Sequence, residues 1–183
     1  MNFVEPIRDM DRILDISEYL RLRSERDYVL FMFGLYSGLR VSDILKLRVR
    51  DVRNKGCILM REKKTGKDKR IEVHEDLRKI LKDYIKDRKD FEYLFRSHKG
   101  ANSPITRVQA YRILNSAARV FGMESIGTHT LRKTFGYHLY QSTKDSILVK
   151  EALNHSDAGV TLRYIGIRQD DVNQAVRKMS FVK

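Results

Sequence analysis

Little in this sequence points to cross-links, export or a membrane. Its single cysteine, Cys57, excludes an internal disulfide and leaves no thiolate cluster for a metal ion. Two prolines and ten glycines among 183 residues are too few for a disordered or linker-rich chain. The longest apolar run, YVLFMFGLY at 28–36, falls far short of the roughly 20 residues that a membrane-spanning helix needs. The N-terminal residues lack the basic, apolar and small-residue succession of a signal peptide. A soluble intracellular protein is the expectation, with no membrane partner.

Acid is the other deficit. Lysine and arginine total 37 against 24 aspartates and glutamates, a formal charge of +13. A folded domain of this balance most often binds a polyanion, and nucleic acid is the commonest one. Ribosomal and membrane-surface proteins share such a charge, so charge alone does not choose. The excess is concentrated, however. Residues 44–55 hold Lys46, Arg48, Arg50, Arg53 and Lys55 against Asp51 alone, and REKKTGKDKR at 61–70 holds six bases and two acids. Two such clusters in succession favour a binding face over a merely solvated one. Lys46, Arg48, Lys63, Lys67 and Lys69 are its candidate DNA contacts.

With 42% hydrophobic residues the chain can build a core, and its length fits one domain. Apolar spacing through Ile7, Met10, Ile13, Leu14, Ile16 and Leu20 predicts an amphipathic helix over 7–21. SERD at 24–27 resembles a capping box opening a second, buried helix that ends at Ser37-Gly38. VSDILKL reads as a short helix. The period then changes to that of two strands, about 57–62 and 69–73, around a loop containing Thr65-Gly66. Helical spacing returns from Glu75, and after a loop (DFEYLFRSHKGANSPI) further helices are expected at 106–121, 128–141, 145–154 and, weakly, 170–179. The fold class is mostly α with one small antiparallel hairpin.

Several polar residues sit among these apolar elements. Arg40 follows the buried helix, with Asp43 three positions on, and Lys64 lies at the tip of the basic hairpin. His129 and Arg132 open a helix three residues apart and so share a face. His155 occupies an NHSD turn, and Tyr164 follows in TLRYIG. Singly, each reads more readily as structural than as functional.

Taken in order, GLRVSD, KKTGK, HTLR, LNHSD and RYIG resemble the tyrosine recombinases, which include phage and transposon integrases and the Xer-type resolving enzymes. The resemblance runs from about residue 6 to 179. It implies the DNA breaking–rejoining catalytic fold, and it puts the family's catalytic pattern on Arg40, Lys64, His129, Arg132, His155 and Tyr164. Tyr164 would be the nucleophile that forms a 3′-phosphotyrosyl link, and Lys64 the general acid for the departing 5′ hydroxyl. Asp43 would orient an arginine. The physical logic agrees: two arginine forks neutralise a phosphate's non-bridging oxygens, and a tyrosine ester keeps the bond energy for rejoining. No metal, cofactor or ATP is implied. The implied partners are double-stranded DNA, further copies of the chain in a tetrameric synapse, and accessory DNA-bending proteins. The implied location is the cytoplasm of a bacterium or a phage's host, at the nucleoid.

Two features depart from the pattern. LNH stands where the family usually has LGH, an exchange that asparagine's tolerance of left-handed backbone makes bearable. The catalytic region also begins almost at Met1, so the N-terminal DNA-clamping domain of most members is expected to be absent and 1–183 to be one catalytic domain. The apolar stripe of Val172, Ala175, Val176 and Met179 at about 170–179 has two readings: packing onto its own domain or, as the resemblance implies, docking on a neighbouring protomer. Rival readings are a DNA-binding regulator that kept the fold, a type IB topoisomerase and a ribosomal-type basic protein.

Overall fold

The computed structural model describes residues 4–61, 66, 68–123, 126–127, 129–167, 172 and 176–180. An extended segment leads into α1 (Met10–Arg23), whose start is set by the Asp9 side chain accepting from the Asp11 N–H. The helix thus begins three residues later than the apolar spacing from Ile7 predicts. Ile7 is buried all the same, from extended backbone, and its N–H donates to Thr134 Oγ1 at 2.9 Å. Met10 and Leu14, in the same apolar stripe, stay exposed.

α2 (Glu25–Ser37) matches its sequence punctuation. Ser24 caps its N-terminus, and Gly38, at φ +58°, stops it in the left-handed region that favours glycine. This helix is central, touching α1, α4 and α6. A Cβ at Gly34 would fall 2.4 Å from Leu131 Cδ1, so glycine is what lets α2 and α6 approach. α3 (Val41–Ile44) and a 3-10 turn (Val49–Asp51) follow. β1 (Cys57–Arg61) and β2 (Asp68–Glu72) then pair antiparallel, with Cys57 opposite Glu72 and buried Ile58 opposite buried Ile71.

α4 (Glu75–Tyr84) buries Leu77 and Leu81 against this layer. The loop after it is tied down by backbone bridges Arg48–Tyr93 and Arg96–Pro104. α5 (Arg107–Val120) opens with a reciprocal Thr106–Gln109 capping box. α6 (Thr130–Thr143), α7 (Ser146–Ala152) and α8 (Ala158–Tyr164) complete the described elements, α7 and α8 being capped by Asp145 and Asp157. The fold is therefore mostly helical with one small antiparallel sheet among the described residues. The hairpin tip carrying Lys63, Lys64 and Lys67 lies outside them, as does most of the expected helix at 170–179; Val172, Val176 and Met179 are exposed. No helix among the described residues is long and apolar enough to cross a membrane.

Three apolar clusters hold these elements. The largest joins α2, α3, the hairpin, α4 and residues 94–105. The second packs Ile7 and α1 against α5, Phe31 and Leu131. The third is small: Val149, Leu153 and Ile165 beneath α7 and α8.

Candidate active site

Arg132 is the pivot. Only 1% exposed, its guanidinium donates from Nη1 to the Gly38 carbonyl at 2.7 Å and from Nη2 to the Leu153 carbonyl. One side chain thereby ties the end of α2 to the end of α7. Arg40 stands two residues beyond Gly38, half-buried and extended at the N-cap of α3. Asp43, fully buried on the same short helix, has Lys46 Nζ 3.7 Å from its Oδ1.

Tyr164 ends α8 and is half-buried. Burial pushes its phenol pKa above the ordinary value, while the charges of Arg132 and Arg40 and a hydrogen bond with Arg132 pull it back. The His155 ring stands edge-on to Tyr164, with centroids 4.8 Å apart and planes at 88°. Thr161 Oγ1 lies 2.7 Å from the Asp157 carbonyl oxygen and 3.2 Å from His155 Nδ1. That contact fixes the ring's orientation. Asn154, before His155, adopts φ +52°, the left-handed turn for which glycine is the usual residue.

His129 immediately precedes α6, at φ −92° and ψ −17°, and is accessible to solvent. Enclosure of its ring, then the charges of Arg107, Arg132, Arg40 and Lys133, hold its pKa below the ordinary value. At neutral pH it is therefore a neutral imidazole able to accept a proton.

Five sequence-predicted positions, Arg40, His129, Arg132, His155 and Tyr164, are thus brought together, and Lys64 lies outside the described residues. Two candidate DNA contacts are occupied within the protein. Arg48 Nη1 donates to the Phe91 carbonyl at 2.7 Å and its guanidinium covers the Tyr93 ring at 4.6 Å. Lys69 Nζ donates to the Ala152 carbonyl at 2.6 Å, fastening β2 to the end of α7. Sequence reading passed over Lys133, which is 6% exposed with its ammonium 5.1 Å from the Tyr164 ring centroid, and Arg107, whose charge acts on His129. A buried lysine carries no sequence mark that separates it from a solvated one. Beside the site, an apolar groove of about 860 Å³ runs between α1, α2, α6, α7 and β2, with Leu14, Leu35, Phe135 and Leu139 on its walls and Asn154 at its edge.

Known proteins share both sequence and fold. Residues 7–170 match the Phage integrase family. A probable integrase/recombinase, YoeC of Bacillus subtilis (strain 168), is 49% identical over 177 residues, spanning 97% of each chain. The tyrosine recombinase XerA of Pyrococcus furiosus is 28% identical over 96% of this chain, which covers 61% of that protein. Among solved structures, the XerA recombinase superposes with a TM-score of 0.78 at 20% identity, over 97% of this chain and 67% of that one. A lambda integrase dimer bound to a COC′ core site gives 0.71 at 18% identity, over 100% and 64%. A XerH recombinase bound to difH before cleavage gives 0.72 at 23% identity, over 97% and 55%.

Proposed function

The chain belongs to the phage integrase family and is a site-specific DNA recombinase; we propose that it breaks and rejoins DNA through a covalent bond between Tyr164 and a 3′ phosphate. The observation that carries this reading is Arg132 holding the Tyr164 hydroxyl, with Arg40, His129 and His155 gathered around it.

In the forward step the Tyr164 oxygen attacks phosphorus, the bond to the 5′ oxygen breaks, and that oxygen leaves as a hydroxyl. His129, neutral near pH 7, takes the phenol proton. Lys64 supplies a proton to the 5′ oxygen. Arg40 and Arg132 meet the charge that builds on the non-bridging oxygens, and their forks are already oriented when the phosphate arrives. His155, oriented through Thr161, adds a hydrogen bond to the same phosphate. Asp43, buried three residues beyond Arg40, orients an arginine of the clamp. Rejoining reverses each step with a 5′ hydroxyl as the nucleophile, the tyrosyl ester having kept the bond energy.

Double-stranded DNA is the substrate in this reading, supported by the basic excess and by recombinase neighbours solved on DNA. Exposed Lys46 and the hairpin lysines Lys63 and Lys67 are its proposed phosphate contacts; Arg48 and Lys69 support the protein surface beside them. Four copies assemble on paired sites, with DNA-bending accessory proteins, in the cytoplasm at the nucleoid. The C-terminal stripe of Val172, Val176 and Met179 docks on a neighbouring copy, for which the apolar groove offers a seat.

The test is covalent capture on randomised nicked duplexes, in which cleavage releases a short fragment and cannot reverse. Adducts mapped to Tyr164 are expected, and Tyr164→Phe should form none while binding DNA within a few-fold of wild type. A persisting adduct in Tyr164→Phe would assign the nucleophile elsewhere.

A further inference from the structure

One set of contacts around Tyr164 has no part in the mechanism above. Lys133 follows Arg132 on α6, yet it points into the interior with its ammonium against the Tyr164 ring. Burial lowers the Lys133 pKa, and the Glu5 carboxylate is the opposite charge that raises it. Glu5 also pairs with Arg8 at 3.3 Å, and Arg8 Nη2 donates to the Gly166 carbonyl, two residues past Tyr164, at 2.7 Å. A Cβ at Gly166 would lie 3.0 Å from Arg8 Nη2 and 3.2 Å from Glu5 Oε2, so the chain after Tyr164 passes directly beneath this pair. The segment carrying Glu5 and Arg8 is itself fixed to α6. Ile7 N–H donates to Thr134, His138 Nε2 lies 3.0 Å from the Ile7 carbonyl, and Arg8 stacks 5.3 Å from the Tyr137 ring centroid.

We propose that Lys133 is a positioning residue for the Tyr164 nucleophile, its ammonium held against the phenol ring by Glu5. The inference rests on Tyr164 being the nucleophile. A cation over an aromatic face is attracted by the ring's negative π density, and more strongly once the ring bears phenolate charge. Here water is largely excluded, so the attraction is not screened away. The phenol then has Arg132 at its oxygen, Lys133 at its face and the His155 ring packed perpendicular to it. Facing Lys133 are Glu5 from the N-terminal segment, Tyr164 from α8, and His129 from the turn that precedes α6. Lys133 thereby sets the ring's direction of attack and favours the ionised form that attacks.

The test reads the phenol directly. Protein carrying 3-fluorotyrosine at its nine tyrosine positions is titrated by 19F NMR, the Tyr164 signal being identified by its loss in Tyr164→Phe. Lys133→Met keeps the bulk of the stem and removes the charge; the Tyr164 midpoint should rise by about one pH unit. Lys133→Arg should stay close to wild type, and thermal unfolding of both variants confirms that they fold. On nicked duplex, Lys133→Met should cleave about tenfold more slowly at neutral pH and recover as pH rises, with DNA affinity unchanged. A merely structural lysine would give a loss that alkali does not repair. A Tyr164 adduct in wild type with an unmoved midpoint in Lys133→Met overturns this proposal alone. No Tyr164 adduct in wild type refutes the nucleophile assignment, and the proposal with it.

Discussion

The two halves of the site are mounted differently. Arg40 and the Gly38 end of the Arg132 bridge belong to the large core, where Leu30, Phe33, Ile44 and Leu94 are wholly buried around α2 and α3. His155 and Tyr164 sit over the small cluster of Val149, Leu153 and Ile165 and are held besides by polar fastenings from Arg132, Lys69 and Arg8. A phosphate clamp loses its advantage if it must reorganise, whereas a nucleophile must advance on phosphorus and withdraw. Firm packing under the cations and thin packing under the tyrosine suit those two demands.

The largest expected effect comes from breaking the link between the halves. Arg132→Ala strips the Gly38 and Leu153 carbonyls of their buried donor, so urea denaturation should show a loss on the order of 3 kcal/mol, and nicked-duplex cleavage should vanish. Survival of full stability would mean that the two halves are not joined through this residue. Next, equal truncations should separate them. Leu30→Ala in the thick core should cost about 4 kcal/mol, near the upper end for such changes. Leu153→Ala should cost about 2 kcal/mol yet slow cleavage more, because the small cluster has less packing to lose and lies nearer the tyrosine. Native-state hydrogen exchange makes the same contrast without mutation: α8 amides should exchange by local opening at lower free energy than those of α2.

The smallest effect is one of pH. His129 has a folded pKa below its unfolded value, so below that unfolded value, near 6.5, the unfolded chain binds more protons and stability falls as pH falls. Its contribution is present above that value and is lost on acidification. The unfolding midpoint should drop between pH 7.5 and 5.5, and His129→Gln should flatten part of that slope. An unchanged slope would remove His129 from the set of groups whose charge the clamp opposes.

The fold was legible where local chemistry decides. Ser24 and Gly38 bracket α2 because a side-chain cap and a left-handed stop act within a few residues, and the Thr106–Gln109 box opens α5 for the same reason. The start of α1 was misplaced because Ile7 keeps the apolar period; what buries it is packing against α5, Phe31 and Leu131, while its N–H bonds to Thr134, 127 residues away. At the site, the order of residue types anticipated which five side chains meet. It did not tell that Arg132 is buried rather than on an exposed face, or that Arg48 and Lys69 reach backbone carbonyls. Composition counts charges, whereas the destination of a long basic side chain depends on which carbonyls the fold leaves open nearby. Lys133 shows this most plainly: beside Arg132 in sequence, it acquires its surroundings only when α8 and the N-terminal segment arrive from opposite ends of the chain.

Gly38 has a mechanical consequence. Its carbonyl oxygen receives Arg132, its left-handed backbone directs the chain to Arg40 two residues on, and a Cβ here would fall 2.3 Å from Phe135 Cδ1. A single peptide unit thus serves as the gauge block between the two jaws of the vice. The gap between the guanidiniums is machined into the backbone, and a side chain at this position would spread the jaws as well as strain the turn.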